Sequence, residues 1–152
     1  PARASRIAIA IAQKLPREVR SAIEVVISPA MGGIIIGYEM GRALEVNALF
    51  VERPDGVFGL RRGFSIEPGQ KVLLVEDVVT TGLSSREAIK AVEEAGGEVI
   101  AAASIIDRSG GTADLGVPFY PLLAIDFPTY DEDSIPEALA AVEVTKPGSR
   151  KE

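Results

Sequence analysis

Two kinds of hydrophobic pattern alternate along the chain. Unbroken apolar runs at "IEVVIS" (23–28), "ALFVE" (48–52), "KVLLV" (71–75), "EVIAAASIID" (98–107) and "FYPLLAID" (119–126) read as strands buried on both faces. Between them the apolar positions recur at helical spacing. Ser5 to Leu15 places Ile7, Ile11 and Leu15 at i, i+4 and i+8, in a segment of good helix formers that Pro16 stops. "GIIIGYEMGRAL" (33–44) predicts a helix of small and apolar residues after the turn "PAMGG". Ser84 to Ala95 predicts a helix with Ala88, Ile89, Val92 and Ala95 on one face, and Gly96 sits where a C-terminal cap belongs. Ser84 and Glu87 have the spacing of a capping box. "RPDGVFGLRRGFSIEPGQ" (53–70), with four glycines and two prolines, predicts a long loop or a ragged hairpin. The residues after 126, rich in proline and acid, predict weak structure, and no internal repeat is present.

Strands alternating with helices give an α/β fold, a three-layer α/β/α arrangement with a mostly parallel, Rossmann-like central sheet. Ligands in such folds bind at the C-terminal ends of the strands, so the loops that matter are 28–33, 53–65, 76–84 and 107–111. The expected organisation is a core domain over 1–126 with a tail, 127–152, packing on it.

Composition narrows the chemistry. A chain of 152 residues suits one core. With 16 basic and 22 acidic residues, its net charge of −6 argues against nonspecific binding to nucleic acid or an anionic membrane. A phosphate ligand would therefore need local donors. There is no cysteine and no histidine, which excludes disulfides, thiolate catalysis, zinc clusters and histidine acid–base pairs. The apolar run within "PARASRIAIAIAQKL" is cut off by Gln13 and Lys14, no stretch is long enough to span a bilayer, and a cytoplasmic setting is the default expectation.

The densest chemistry lies in "VLLVEDVVTTGLSS" (72–85). Four apolar residues are followed by two acids, then by small polar residues entering a helix. Backbone N–H groups at a helix N-terminus lack intrahelical partners, and the helix dipole favours an anion there. Gly82 lets the backbone close around that anion, and Thr80, Thr81, Ser84 and Ser85 add hydroxyl donors. Glu76 and Asp77 suit sugar hydroxyls better than a phosphate. The segment reads as a cradle for ribose 5-phosphate. Solvated strand-end acids and a capped helix would account for Ser84 and Glu87 but not for the acid pair followed by Thr-Thr-Gly.

This stretch resembles the phosphoribosyl-pyrophosphate signature of the type I phosphoribosyltransferases: an apolar strand, two acids, two apolar residues and T-x-G-x-[ST]. "SPAMGGIIIGYEMGRAL", "ERPDGVFGLRRGFSIEPGQKV", "SIIDRSGG" and the ending "VTKPGSR" are similar to the orotate phosphoribosyltransferases within that family. The resemblance implies transfer of ribose 5-phosphate from phosphoribosyl pyrophosphate to N1 of orotate, giving orotidine 5′-phosphate and pyrophosphate. It implies Glu76 and Asp77 on the ribose hydroxyls, and Val78, Val79, Thr80, Thr81, Gly82, Leu83 and Ser84 around the phosphate. Ala30, Met31, Gly32 and Gly33 match the pyrophosphate loop, without the lysine that family members often place there. Arg53, Arg61 and Arg62 would lie on a mobile lid that reaches the neighbouring subunit of a homodimer, with Arg61 and Arg62 acting in catalysis. Arg108 matches the residue that binds the orotate carboxylate, as a planar fork suits. Mg²⁺ is implied as cofactor, held mainly through the substrate with no direct protein ligand set. Orotate enzymes also carry several dozen residues before the opening helix, as a hood over the base, and nothing in the sequence matches them. The expectation is that these residues bind phosphoribosyl ligands yet turn over orotate poorly. The alternative is a noncatalytic phosphoribosyl-binding module or a truncated or engineered core.

Overall fold

The structure is a computed structural model that describes residues 1–128, 130 and 132–142. The "VTKPGSR" stretch lies outside the described residues.

Chain order runs α1 (Ala2–Lys14), α2 (Arg17–Ala22), β1 (Val25–Pro29), α3 (Gly33–Leu44), β2 (Asn47–Glu52), β3 (Gly59–Leu60), β4 (Lys71–Val79), α4 (Leu83–Glu94), β5 (Glu98–Asp107), β6 (Phe119–Ala124) and α5 (Glu137–Ala140). The six strands form one sheet in the order β3-β2-β1-β4-β5-β6. Every pairing is parallel except β2 with β3, where Val51 faces Leu60 and Glu52 faces Gly59. The 53–70 region is thus a ragged hairpin on the sheet edge.

Alternation along β4 divides the core. Val72 and Leu74 face the layer of α4, packing with Ala88, Ile89 and Val92. Leu73 and Val75 face the layer of α1 and α3, with Ile11, Ile36 and Met40. All of these except Ile36 and Ile89 are fully or almost fully buried, and each buried aliphatic side chain contributes about 1.5–3 kcal/mol.

The structure departs from the sequence pattern in four places. α2 was not expected, because its six residues are too few to show a helical period. β4 does not end at Val75. It runs on through the acids to Val79, since Glu76, Val78 and Val79 pair with Ser104, Ile106 and Asp107 of the long β5. The capping box does not form. Gly82 occupies the cap position with φ 75° and has no side chain to cap with, and Glu87 turns instead to Arg53. Ala95 is exposed rather than on the apolar face, and Ala91 is buried in its place. Among the described residues of the tail, structure is confined to a 3-10 turn at Glu132–Ser134 and the short α5, as its composition leads one to expect. Beyond Ile125, the described residues whose burial is given are exposed as far as Val142.

Candidate functional site

β1 and β4 are neighbours at the sheet centre, and both lead into loops at their C-terminal ends. β4 delivers Glu76 and Asp77 on opposite faces, because successive strand residues alternate. Glu76 is buried at 7% exposure, while Asp77 is half-buried. Burial is the main force lifting the Glu76 carboxyl to a pKa of about 7, and the neighbouring Asp77 charge adds to it. Hydrogen bonds from the Ser85 hydroxyl and from the Asp77 backbone oppose the rise. Glu76 therefore changes charge near neutrality, when most carboxyls are ionised.

Glu76, Val78, Val79, Thr80, Thr81, Gly82, Leu83, Ser84 and Ser85 surround one cavity of about 210 Å³. The sequence expectation named all of these as cradle residues or hydroxyl donors, and the structure gathers them around a single space. At its floor, α4 begins at Leu83, so the N–H groups of the first helical turn lack intrahelical partners there. Thr81 Oγ1 accepts from the Leu83 N–H at 3.4 Å, which steadies the turn. The dimensions suit a monophosphate with a sugar extending toward Glu76.

The "PAMGG" loop closes against the other face of β4. A Cβ built on Gly32 would lie 2.3 Å from Asp77 Oδ2, so only glycine lets this loop meet the carboxylate. Asp77 Oδ1 accepts from the Val78 N–H at 2.8 Å, which fixes the side chain in that position. The peptide between Ala30 and Met31 is cis, and Met31 is 83% exposed. Of the loop residues Ala30, Met31, Gly32 and Gly33, Gly32 is the one that meets Asp77, while a Cβ on Gly33 would fall 3.1 Å from Ser28 Cβ and from the Val75 carbonyl.

The lid arginines do not line the cavity. Each is engaged by a carboxylate of the chain itself. Arg53 donates to Glu87 of α4 at 2.5 Å and lies 4.6 Å from the Phe58 ring centroid. Arg62 grips Glu52 with two hydrogen bonds of 2.9 and 2.8 Å, and this holds the Glu52 carboxyl below its ordinary range. Arg61 is 3.6 Å from Asp55. Arg108 is exposed at the end of β5, its guanidinium 5.7 Å from the Phe127 ring. It does not pair with Asp107, which is buried and accepts from the Ser109 N–H at 2.8 Å.

Sequence reasoning missed two contributors and the role of a third. Ser85, buried and bonded to Glu76, was read only as a phosphate donor. Arg86 binds two loop carbonyls and carried no motif signal. Phe127 meets Arg108 from beyond β6, which only the tertiary fold could reveal. A second hollow of about 260 Å³ lies between Gly56, Val57 and Phe58 of the hairpin and Glu87, Lys90, Ala91 and Glu94 of α4. Its two carboxylates against one lysine make it a poor place for a phosphate.

Among the described residues, no group of three or more His, Cys, Asp or Glu comes together as a metal site. The donor set fits Mg²⁺ in one way only. Mg²⁺ keeps several waters and is commonly held through substrate phosphates and one or two carboxylates, a role for which Asp77 and Glu76 are available. Among the described residues no helix is long and apolar enough to cross a membrane.

Residues 2–126 match the phosphoribosyl transferase domain family. The chain is 69% identical over 150 residues to an orotate phosphoribosyltransferase of Novosphingobium aromaticivorans, covering 99% of this chain and 77% of that relative. It is 55% identical over 141 residues to an orotate phosphoribosyltransferase of Carboxydothermus hydrogenoformans, covering 93% of this chain and 73% of the relative. Among solved structures, an adenine phosphoribosyltransferase from Rhodothermus marinus superposes with a TM-score of 0.64 at 26% identity, covering 79% of this chain and 78% of that one. An orotate phosphoribosyltransferase from Aeropyrum pernix superposes with a TM-score of 0.61 at 22% identity, covering 79% and 71%, a likeness of fold.

Proposed function

This chain belongs to the phosphoribosyl transferase family, and from that premise we propose that it is the catalytic core of an orotate phosphoribosyltransferase. It transfers ribose 5-phosphate from phosphoribosyl pyrophosphate to N1 of orotate, giving orotidine 5′-phosphate and pyrophosphate in pyrimidine nucleotide synthesis. The observation that carries the proposal is the cavity lined by Glu76 and by Val78 to Ser85, joined to 69% identity with a relative of that name.

The chemistry follows from charge. Breaking the bond between C1 and pyrophosphate builds positive charge on the ribose and negative charge on the leaving group. Rate enhancement then comes from holding the ribose in line and from electrostatics aimed at that separation, with no covalent nucleophile. The N–H groups of residues 80–84 and the hydroxyls of Thr80, Thr81 and Ser84 hold the 5-phosphate. Glu76 and Asp77 accept hydrogen bonds from the ribose hydroxyls, and their negative charge favours the cationic ribose. Mg²⁺, when bound with the substrate, neutralises charge on the pyrophosphate oxygens. The Gly32–Gly33 backbone lies beside Asp77, where that pyrophosphate would leave.

Arg61 and Arg62 act from the lid by exchanging their carboxylate partners for pyrophosphate oxygens, which arginine can grip bidentately. In this reading the lid serves the neighbouring subunit of a homodimer. Arg108 takes the orotate carboxylate. The setting is cytoplasmic, since phosphorylated substrates do not cross bilayers unaided.

The test is turnover. Purified protein with phosphoribosyl pyrophosphate, Mg²⁺ and orotate should form orotidine 5′-phosphate at a low rate, and adenine should not substitute for orotate. Use of adenine in preference to orotate would overturn the assignment of base.

A further inference from the structure

Arg86 stands on the first turn of α4 but reaches back across the loop that precedes it. Its Nη1 donates to the Thr81 carbonyl at 3.1 Å and to the Asp114 carbonyl at 2.8 Å. The first bond orients the peptide between Thr81 and Gly82. In a trans peptide the C=O and N–H point in opposite directions, so a Thr81 carbonyl held by Arg86 sends the Gly82 N–H the other way. Arg86 is not among the residues around the cavity, whereas Thr81 and Gly82 are. The second bond reaches the segment after β5, six residues beyond Arg108. Leu115, on that same segment, closes the contact. A Cβ on Gly82 would lie 2.6 Å from Leu115 Cδ2 and 2.9 Å from Arg86 Nη1.

We propose that Arg86 is a positioning residue that sets the phosphate loop and ties it to the loop carrying Arg108, so that one guanidinium aligns the sites for both substrates. The proposal rests on the phosphoribosyl reading of the cavity. Its physical basis is a single nitrogen. Nη1 donates to carbonyls of two separate loops, and its N–H directions, fixed in the guanidinium plane, set the distance between them. Its charge also draws the Thr81 carbonyl dipole away from the bound anion, where an oxygen would repel phosphate. A lysine in its place would supply charge and freely rotating donors without those fixed directions.

The test compares wild type, Arg86→Ala and Arg86→Lys by calorimetric binding of ribose 5-phosphate and by steady-state kinetics with both substrates. Arg86→Ala should weaken ribose 5-phosphate binding roughly 10- to 100-fold, the scale of a misaligned site. It should raise KM for phosphoribosyl pyrophosphate and for orotate together. Guanidinium ion at a non-denaturing concentration should recover much of the loss, and sodium chloride at equal ionic strength should not. Arg86→Lys should lie between the two. If the alanine variant does not fold, the lysine variant carries the test through the same paired rise in KM. Binding within about twofold of wild type in a folded variant overturns the proposal, as does a loss recovered equally by both salts. Ribose 5-phosphate lacks the base, so its binding decides the role of Arg86 even if wild type fails to use orotate. That second failure would count against the proposed reaction alone.

Discussion

Gly32 and Asp77 approach so closely that a Cβ on the glycine would fall 2.3 Å from the Asp77 carboxylate oxygen. The loop after β1 and the acid pair of β4 are therefore fitted to each other, although 45 residues separate them in sequence. Substitution Gly32→Ala must displace either the loop or the carboxylate. We expect a destabilisation of about 1–3 kcal/mol, the usual cost of overpacking, and a larger proportional loss in affinity for phosphoribosyl pyrophosphate. Thermal unfolding and calorimetry on the same sample check this. A variant with unchanged affinity would show that the Gly32–Asp77 contact does not shape the site.

Glu76 makes stability depend on pH in a defined direction. Its pKa is about 7 in the folded chain against an ordinary value of 4.5, so between these values the native state holds the proton more tightly than the unfolded chain. Its contribution is complete below the ordinary value and is lost as pH rises through about 7. Between pH 4.5 and about 8, wild type should lose up to about 3 kcal/mol relative to Glu76→Gln, which cannot ionise. Denaturant unfolding of the pair across that range reads the difference directly. A difference that stays flat would mean that Glu76 ionises like an exposed carboxyl.

The lid arginines predict a separation of activity from stability. Arg61 and Arg62 are exposed and paired with Asp55 and Glu52 on the surface. Exposed pairs contribute little to folding. Replacing both by alanine should shift the unfolding midpoint by no more than about 2–4 °C. Turnover should fall roughly 100-fold or more, as when a group stabilising developing charge is removed. A variant that unfolds well below the wild-type midpoint would make these arginines structural.

The layers were legible in the sequence because β1, β4 and β5 are continuous apolar runs, and α3 begins and ends at the residues its pattern marks. The lining of the cavity was legible because Glu76 and Val78 to Ser85 lie in one short stretch, whereas Asp77 within it turns to the opposite face, toward Gly32. Features that depend on distant segments were not. The extension of β4 through its acids comes from pairing with β5, which local hydrophobicity does not register. Ser84 and Glu87 fit a capping box, but Gly82 in a left-handed conformation starts the helix and Arg53 takes the glutamate. Arg53, Arg61 and Arg62 could be seen as a cationic cluster. Their carboxylate partners could not, since Arg53–Glu87 spans 34 residues.

The central claim is that residues 76–85 form one ribose 5-phosphate cradle, and a crystal structure with ribose 5-phosphate tests it most directly. The account predicts the phosphate within hydrogen-bonding distance of the backbone N–H groups of residues 80–84. It also predicts the ribose hydroxyls on Glu76 and Asp77. A phosphate bound elsewhere, for instance on the lid arginines with the cavity empty, would contradict it.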